Sequence, residues 1–115
     1  MKEILERAKE LGEAIAASER LEAVRTIRKE ADSDEALQAD MKALNELSER
    51  IAKLEKEVKP VEPQDKHKLR ELQQKVTGSP ALQKLARAEA DFAELMNRVN
   101  RTIHEQFAAE SDEEK

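Results

Sequence analysis

The chain has 115 residues, enough for one domain; 41 % are charged, 38 % hydrophobic and only 2 % aromatic. With Gly 2 and Pro 3 it lacks the turn residues of a β-rich fold, and with Cys 0 it has no disulfide, thiol nucleophile or cysteine-held zinc or iron–sulfur cluster. A formal net charge of -5 disfavours non-specific attraction to nucleic acid or anionic lipid.

The remaining composition is rich in Ala, Leu, Glu, Lys, Arg and Gln, the strong helix formers. The first predicted helix runs from about Lys2 to Ala17, where Ile4, Leu5, Ala8, Leu11, Gly12 and Ile15 draw one apolar stripe. Gly12 lies inside that stripe, and a mid-helix glycine costs ~1 kcal/mol relative to alanine. Its presence therefore predicts the close approach of another helix. Ser18 is placed to cap a second helix over Glu19 to Ala31, with Leu21, Val24 and Ile27 inward. A single helix bent at Ser18 fits the pattern equally well.

Asp32 followed by Glu35 reads as a capping box at the start of the third helix, which extends to about Val58. Leu44, Leu47, Ile51, Leu54 and Val58 form a heptad-like seam, flanked by the i,i+4 pairs Glu46/Arg50, Glu49/Lys53 and Glu55/Lys59. Such a helix, ~39 Å long, exceeds what a small globule hides. The segment 59–64, with its two prolines, is a linker. A shorter helix follows from about Gln64 to Val76, with Leu69, Leu72 and Val76 inward. In Thr77-Gly78-Ser79-Pro80, glycine suits a helix end, serine the next N-cap and proline the first helical position.

The last helix is expected from Pro80 to about Phe107. Its stripe comprises Leu82, Leu85, Phe92, Met96, Val99, Ile103 and Phe107, interrupted by Glu89. Glu89 occupies a stripe position, where burial without a partner would be costly, so it is expected to meet a cation or helix-end amides; whether it is buried stays open at this point. The expected fold is all-α, an elongated helical hairpin or bundle of four to five helices in which two long helices form the main packing seam. Residues 1–107 form the single domain, and residues 108–115 an acidic, flexible tail.

No constellation points to an enzyme, a cofactor or a bound metal. His67 has Asp65 and Glu71 as neighbours in a three-ligand cluster, but without any metal-ligand spacing motif. His67 and His104 both read as surface residues. The serines lack nucleophile-elbow context, and Met41 and Met96 read as core fillers. Two basic clusters, Arg25 with Arg28 and Arg98 with Arg101, are the RNA-contact candidates. Without interleaved aromatics for base stacking, a solvated or salt-bridged face is the better reading and a nucleic-acid partner is not expected. The candidate oligomer or core seam is Leu85, Phe92, Met96, Val99 and Ile103. Burying so much apolar helix calls for a homodimer or higher homo-oligomer. Without a leader-like or membrane-spanning apolar run, a cytoplasmic location and no membrane insertion are expected.

Leu11-Gly12 followed by Ser18-Glu19, the Asp32-to-Ala36 entry, and Pro80 leading to Ala88-Glu89 and Phe92 occur in a telling order. Val99-Asn100 and Ile103 complete it. From about Ile4 to Ile103 the chain resembles the YlbF/YmcA family of small bacterial helical proteins. The resemblance implies an all-helical, commonly oligomeric protein without known catalytic residues. It also implies a regulatory role through a protein partner, with a ribonuclease complex as that partner, and an influence on competence, sporulation and biofilm formation. The iron–sulfur cluster of some relatives does not carry over to a chain without cysteine. The Pro-x-x-Pro linker departs from many relatives and places the chain near the YheA-like branch. The function expected is a non-enzymatic regulatory or adaptor protein. RNA binding through the arginines, or a structural or chaperone-like coiled-coil module, are the rivals.

Overall fold

A computed structural model describes the backbone of residues 1–113 and the side chains of residues 1–108. The described residues form five α-helices and no strands: α1 (Lys2–Ala16), α2 (Glu19–Asp32), α3 (Glu35–Lys56), α4 (Pro63–Thr77) and α5 (Pro80–Glu113). The fold is all-α. Contacts divide the chain into two compact units, one built from residues 1–26 and 86–115, the other from residues 27–85.

The second unit centres on an α3–α4 hairpin. Leu47, Ile51 and Leu72 are buried together, with Ala43, Leu44, Val61 and Leu69 packed around them. The seam read from the sequence is thus real in its middle but ends early. Helix α3 stops at Lys56, and Val58 is 91 % exposed with φ 57. The Val58 amide donates to the Glu55 carbonyl at 3.1 Å and the Lys59 amide to that of Leu54 at 2.8 Å. These two bonds make a Schellman motif, a helix ending whose left-handed residue is usually glycine. Here a β-branched valine takes that position, and its side chain leaves the seam.

The charge ladder also departs from expectation, because Arg50 pairs across the hairpin with Asp65 and not with Glu46. Lys59, beyond the helix, pairs with Glu57 at 3.1 Å. Pro63, read as part of the linker, is the first residue of α4, where a missing amide hydrogen costs nothing.

The start of α3 corrects the proposed capping box. The N-cap is Asp34, whose side chain accepts the Leu37 amide, and Asp32 is the last residue of α2. The reason lies in packing: extending α2 through Asp32 keeps Ala31 buried and leaves only Ser33 and Asp34 for the turn. The Gln38 side-chain amide then closes the turn by donating to the Ala31 carbonyl at 3.1 Å. Near the other end of this unit, Lys84 reaches Glu30 at 3.6 Å, holding the start of α5 to α2.

In the first unit α1 and α2 are separate helices, which settles the alternative left open at Ser18. The Ser18 hydroxyl accepts the Leu21 amide at 3.3 Å, and Arg25 donates to the Ala16 carbonyl at the end of α1. Arg20 binds α2 to α5 by donating to the Asp91 carbonyl at 3.0 Å, with Glu94 4.0 Å away. Val24 and Ala88 are the buried side chains of this unit.

The inward residue of α5 is therefore Ala88, and Glu89 is exposed rather than buried, though it has an interaction partner. Large side chains alone suggested the stripe, and the small alanine that fits a helix–helix contact was passed over. Helix α5 continues six residues past Phe107. Of the tail expected to be flexible, Glu114 and Lys115 lie outside the described residues.

Candidate interaction surface

Helix α1 is the most amphipathic element by pattern, yet it has no buried residue. Helices in proteins draw most of their stability from packing an apolar face, so this face stands out. Ile4 is 72 % and Leu5 59 % exposed, and Met1 and Leu11 are exposed beside them. No helix of this chain approaches Gly12, since a Cβ added there would meet nothing within 4 Å. The close approach expected from its place in the stripe is not made within the chain. At the far end of α5, Ile103 and Phe107 are also exposed. Among the described residues, six of the eight exposed large hydrophobic side chains fall in the first unit: Met1, Ile4, Leu5, Leu11, Ile103 and Phe107.

The proposed seam is spread over different environments. Leu85, Phe92, Met96 and Val99 are half-buried within the chain, whereas Ile103 faces solvent. Met96 takes a half-buried place, but Met41 is exposed and is no core filler. Met41 instead lines a groove with Leu44, Asn45, Ser48 and Val76 between α3 and α4. A second, more polar groove of the same hairpin is lined by Glu46, Arg50, Asp65 and Lys68.

Three of the four arginine candidates are drawn into contacts within the protein. Arg25 holds the Ala16 carbonyl, Arg98 pairs with Glu94 at 3.2 Å, and Arg28 has a partner. Arg101 is exposed on α5 one turn from Arg98. Glu94 lies between Arg20 and Arg98, so the basic groups meet acids rather than forming an open positive track. His67 contacts Glu71 at 3.1 Å while Asp65 turns to Arg50, which separates the three-residue cluster seen in the sequence. Among the described residues no group of three or more His, Cys, Asp or Glu is placed to share a metal ion. His104 meets the Phe107 ring edge-on, with centroids 4.8 Å apart, so both rings lie on the exposed end of α5.

This helical order agrees with a comparison of whole families. The family model described as "Control of competence regulator ComK, YlbF/YmcA" matches residues 4–107. The chain belongs to the YlbF/YmcA family. The match spans both units and every helix, and it does not single out the YheA-like branch. No curated protein and no solved structure gives a match. The YlbF/YmcA family is linked to control of competence, and a regulatory role fits this member. Among the described residues no helix is long and apolar enough to cross a membrane.

The sequence marked α5 as the surface to watch and passed over α1. The signal for α1 was present, because its stripe is as regular as that of α5. What the sequence does not show is which stripe the rest of the chain covers.

Proposed function

We propose that this YlbF/YmcA member is a non-enzymatic, cytoplasmic adaptor that works by protein–protein contact as a helical homo-oligomer. Its partner is a protein assembly, and the family link to competence makes a ribonuclease complex the first partner to test. The observation that carries this reading is the uncovered apolar surface of Ile4, Leu5, Leu11, Ile103 and Phe107. Exposed apolar side chains gathered on one face of a helix mark a candidate interaction surface. The site chemistry fits the same view, since the acids and bases described above serve helix ends and ion pairs.

Two measurements on the intact protein test it. Light scattering across a concentration series is expected to give at least twice the 13.1 kDa chain mass. Affinity capture from the native host after nuclease treatment is expected to retain one stoichiometric protein partner, with ribonuclease subunits sought by mass spectrometry. A monomer with no retained partner overturns the proposal. Capture that disappears with nuclease moves the function to RNA.

A further inference from the structure

Helix α3 carries a second seam beside the one that packs on α4. Gln38, Met41, Asn45, Ser48 and Ala52 follow one another at alternate steps of three and four, the spacing of a helix face that meets another helix. All five are exposed and none is charged, in a chain of which 41 % is charged. The first four line the groove that Val76 of α4 borders on one side. Both helices and the groove between them lie in the unit of residues 27–85.

Along the open edge of this face runs a line of charges. Glu35, Lys42, Glu49 and Lys56 recur every seven residues, two helical turns apart, with strictly alternating sign, and all four are exposed. Seven residues rise ~10 Å, too far for neighbours on the line to pair with one another. Among the described residues none of the four has an ion-pair partner.

An alternating line of this kind is complementary to itself when reversed. A second α3 laid antiparallel, about a twofold axis at the middle of the helix, sets Lys42 against the partner's Glu49 and Glu35 against the partner's Lys56. Each pairing occurs twice. The same register places Met41 over the partner's Ala52, a large side chain on a small one. It also sets Asn45 against the partner's Ser48, two groups able to hydrogen-bond, and a single polar Asn on such a seam specifies register. A parallel pair in register would oppose like charges at all four positions.

We propose that α3 pairs antiparallel with α3 of a second copy through the face from Gln38 to Ala52. The contact is isologous, as a closed dimer requires. With 22 residues in α3, the strip on each copy is ~33 Å long and about 10 Å wide. Two such strips fall short of the ~1,000 Å² of stable complexes, so a dimer of micromolar affinity is expected. The inference rests on the oligomer reading above. It assigns self-association to α3 and leaves the α1 surface to the protein partner.

Charge exchange on α3 tests it. Lys42→Glu and Glu49→Lys each set like charges together at both symmetric contacts, and each is expected to weaken dimerisation about tenfold in analytical ultracentrifugation. Helicity by circular dichroism is expected to stay unchanged, since both side chains are exposed. An equimolar mixture of the two variants restores opposite charges, as does the double variant carrying Lys42→Glu and Glu49→Lys in one chain. Both are expected to dimerise as the wild type does. Ala52→Arg, which fills the space over Met41 of the partner subunit, is expected to abolish the dimer with no rescue by mixing. Leu5→Asp is expected to leave the dimer intact.

A wild type that stays monomeric up to millimolar concentration defeats the oligomer reading and this inference with it. If the wild type dimerises while Lys42→Glu and Glu49→Lys match it, only the assignment to α3 is overturned. Weakening that neither the mixture nor the double variant reverses also overturns it, since that pattern belongs to a contact within one chain. Loss of the dimer in Leu5→Asp moves the interface to α1. Charge variants that dimerise normally yet retain less of the protein partner give this face to a helix of another protein.

Discussion

The Asp34 carboxylate accepts the Leu37 amide at 3.0 Å and so caps the start of α3. An N-cap acid satisfies an amide that the helix itself leaves open, and losing it costs ~1 kcal/mol. Asp34→Ala is therefore expected to lower the unfolding free energy by about that amount. Asp32→Ala, at the end of α2, is expected to leave it within ~0.5 kcal/mol. Urea denaturation of the two variants side by side checks the assignment, and equal losses would count against it.

Val58 gives the opposite sign. A side chain with φ 57 and 91 % exposure has backbone strain and no packing to offset it. The left-handed conformation costs a non-glycine residue ~1–2 kcal/mol, while glycine loses more freedom on folding by ~0.5–1 kcal/mol. Val58→Gly is expected to stabilise the fold by ~0.5–1 kcal/mol and raise Tm by a few degrees. A lower Tm would mean that the valine is held by contacts in the assembled protein.

Leu72 is 7 % exposed and joins Leu47 and Ile51 in the hairpin core. Truncation to alanine removes its transfer free energy and leaves a cavity, for a loss of ~2–4 kcal/mol. In so thin a core, where among the described residues no side chain is below 2 % exposure, the lower half of that range is expected. Chemical denaturation of Leu72→Ala measures it directly.

Phe92 and Leu5 separate folding from assembly. Phe92 is half-buried inside the first unit, whereas Leu5 is mostly in solvent. Phe92→Asp puts a carboxylate among apolar groups and is expected to lower Tm even at dilutions where only monomer is present. Leu5→Asp is expected to leave the monomer's Tm unchanged. Scanning calorimetry on both variants at low micromolar concentration distinguishes the two effects.

Much of this architecture was readable in advance. The break at Thr77 to Pro80 needed only local chemistry, and the structure places the Ser79 hydroxyl 3.4 Å from the Leu82 amide as that chemistry requires. Leu47, Ile51 and Leu72 were found by spacing because large apolar residues mark a seam plainly. Choosing between Asp32 and Asp34 was harder, since both are good caps and only the burial of Ala31 decides. The inward position of α5 is hard to read for the same reason: Ala88, not Glu89, is buried, and it is marked by smallness, which periodicity in large residues does not register. The interaction surface was legible as a stripe on α1, but exposure is a property of the whole fold and not of any window of sequence.

The division of the chain has a consequence for synthesis. The unit of residues 27–85 is contiguous, and its α3–α4 core joins neighbours in sequence, so it can form while the ribosome is still extending the chain. The unit that carries α1 joins segments far apart in sequence and cannot close until α5 has emerged. Helix α1, whose row of aliphatic side chains the folded chain itself leaves bare, is where a chaperone would find a handhold on the nascent chain.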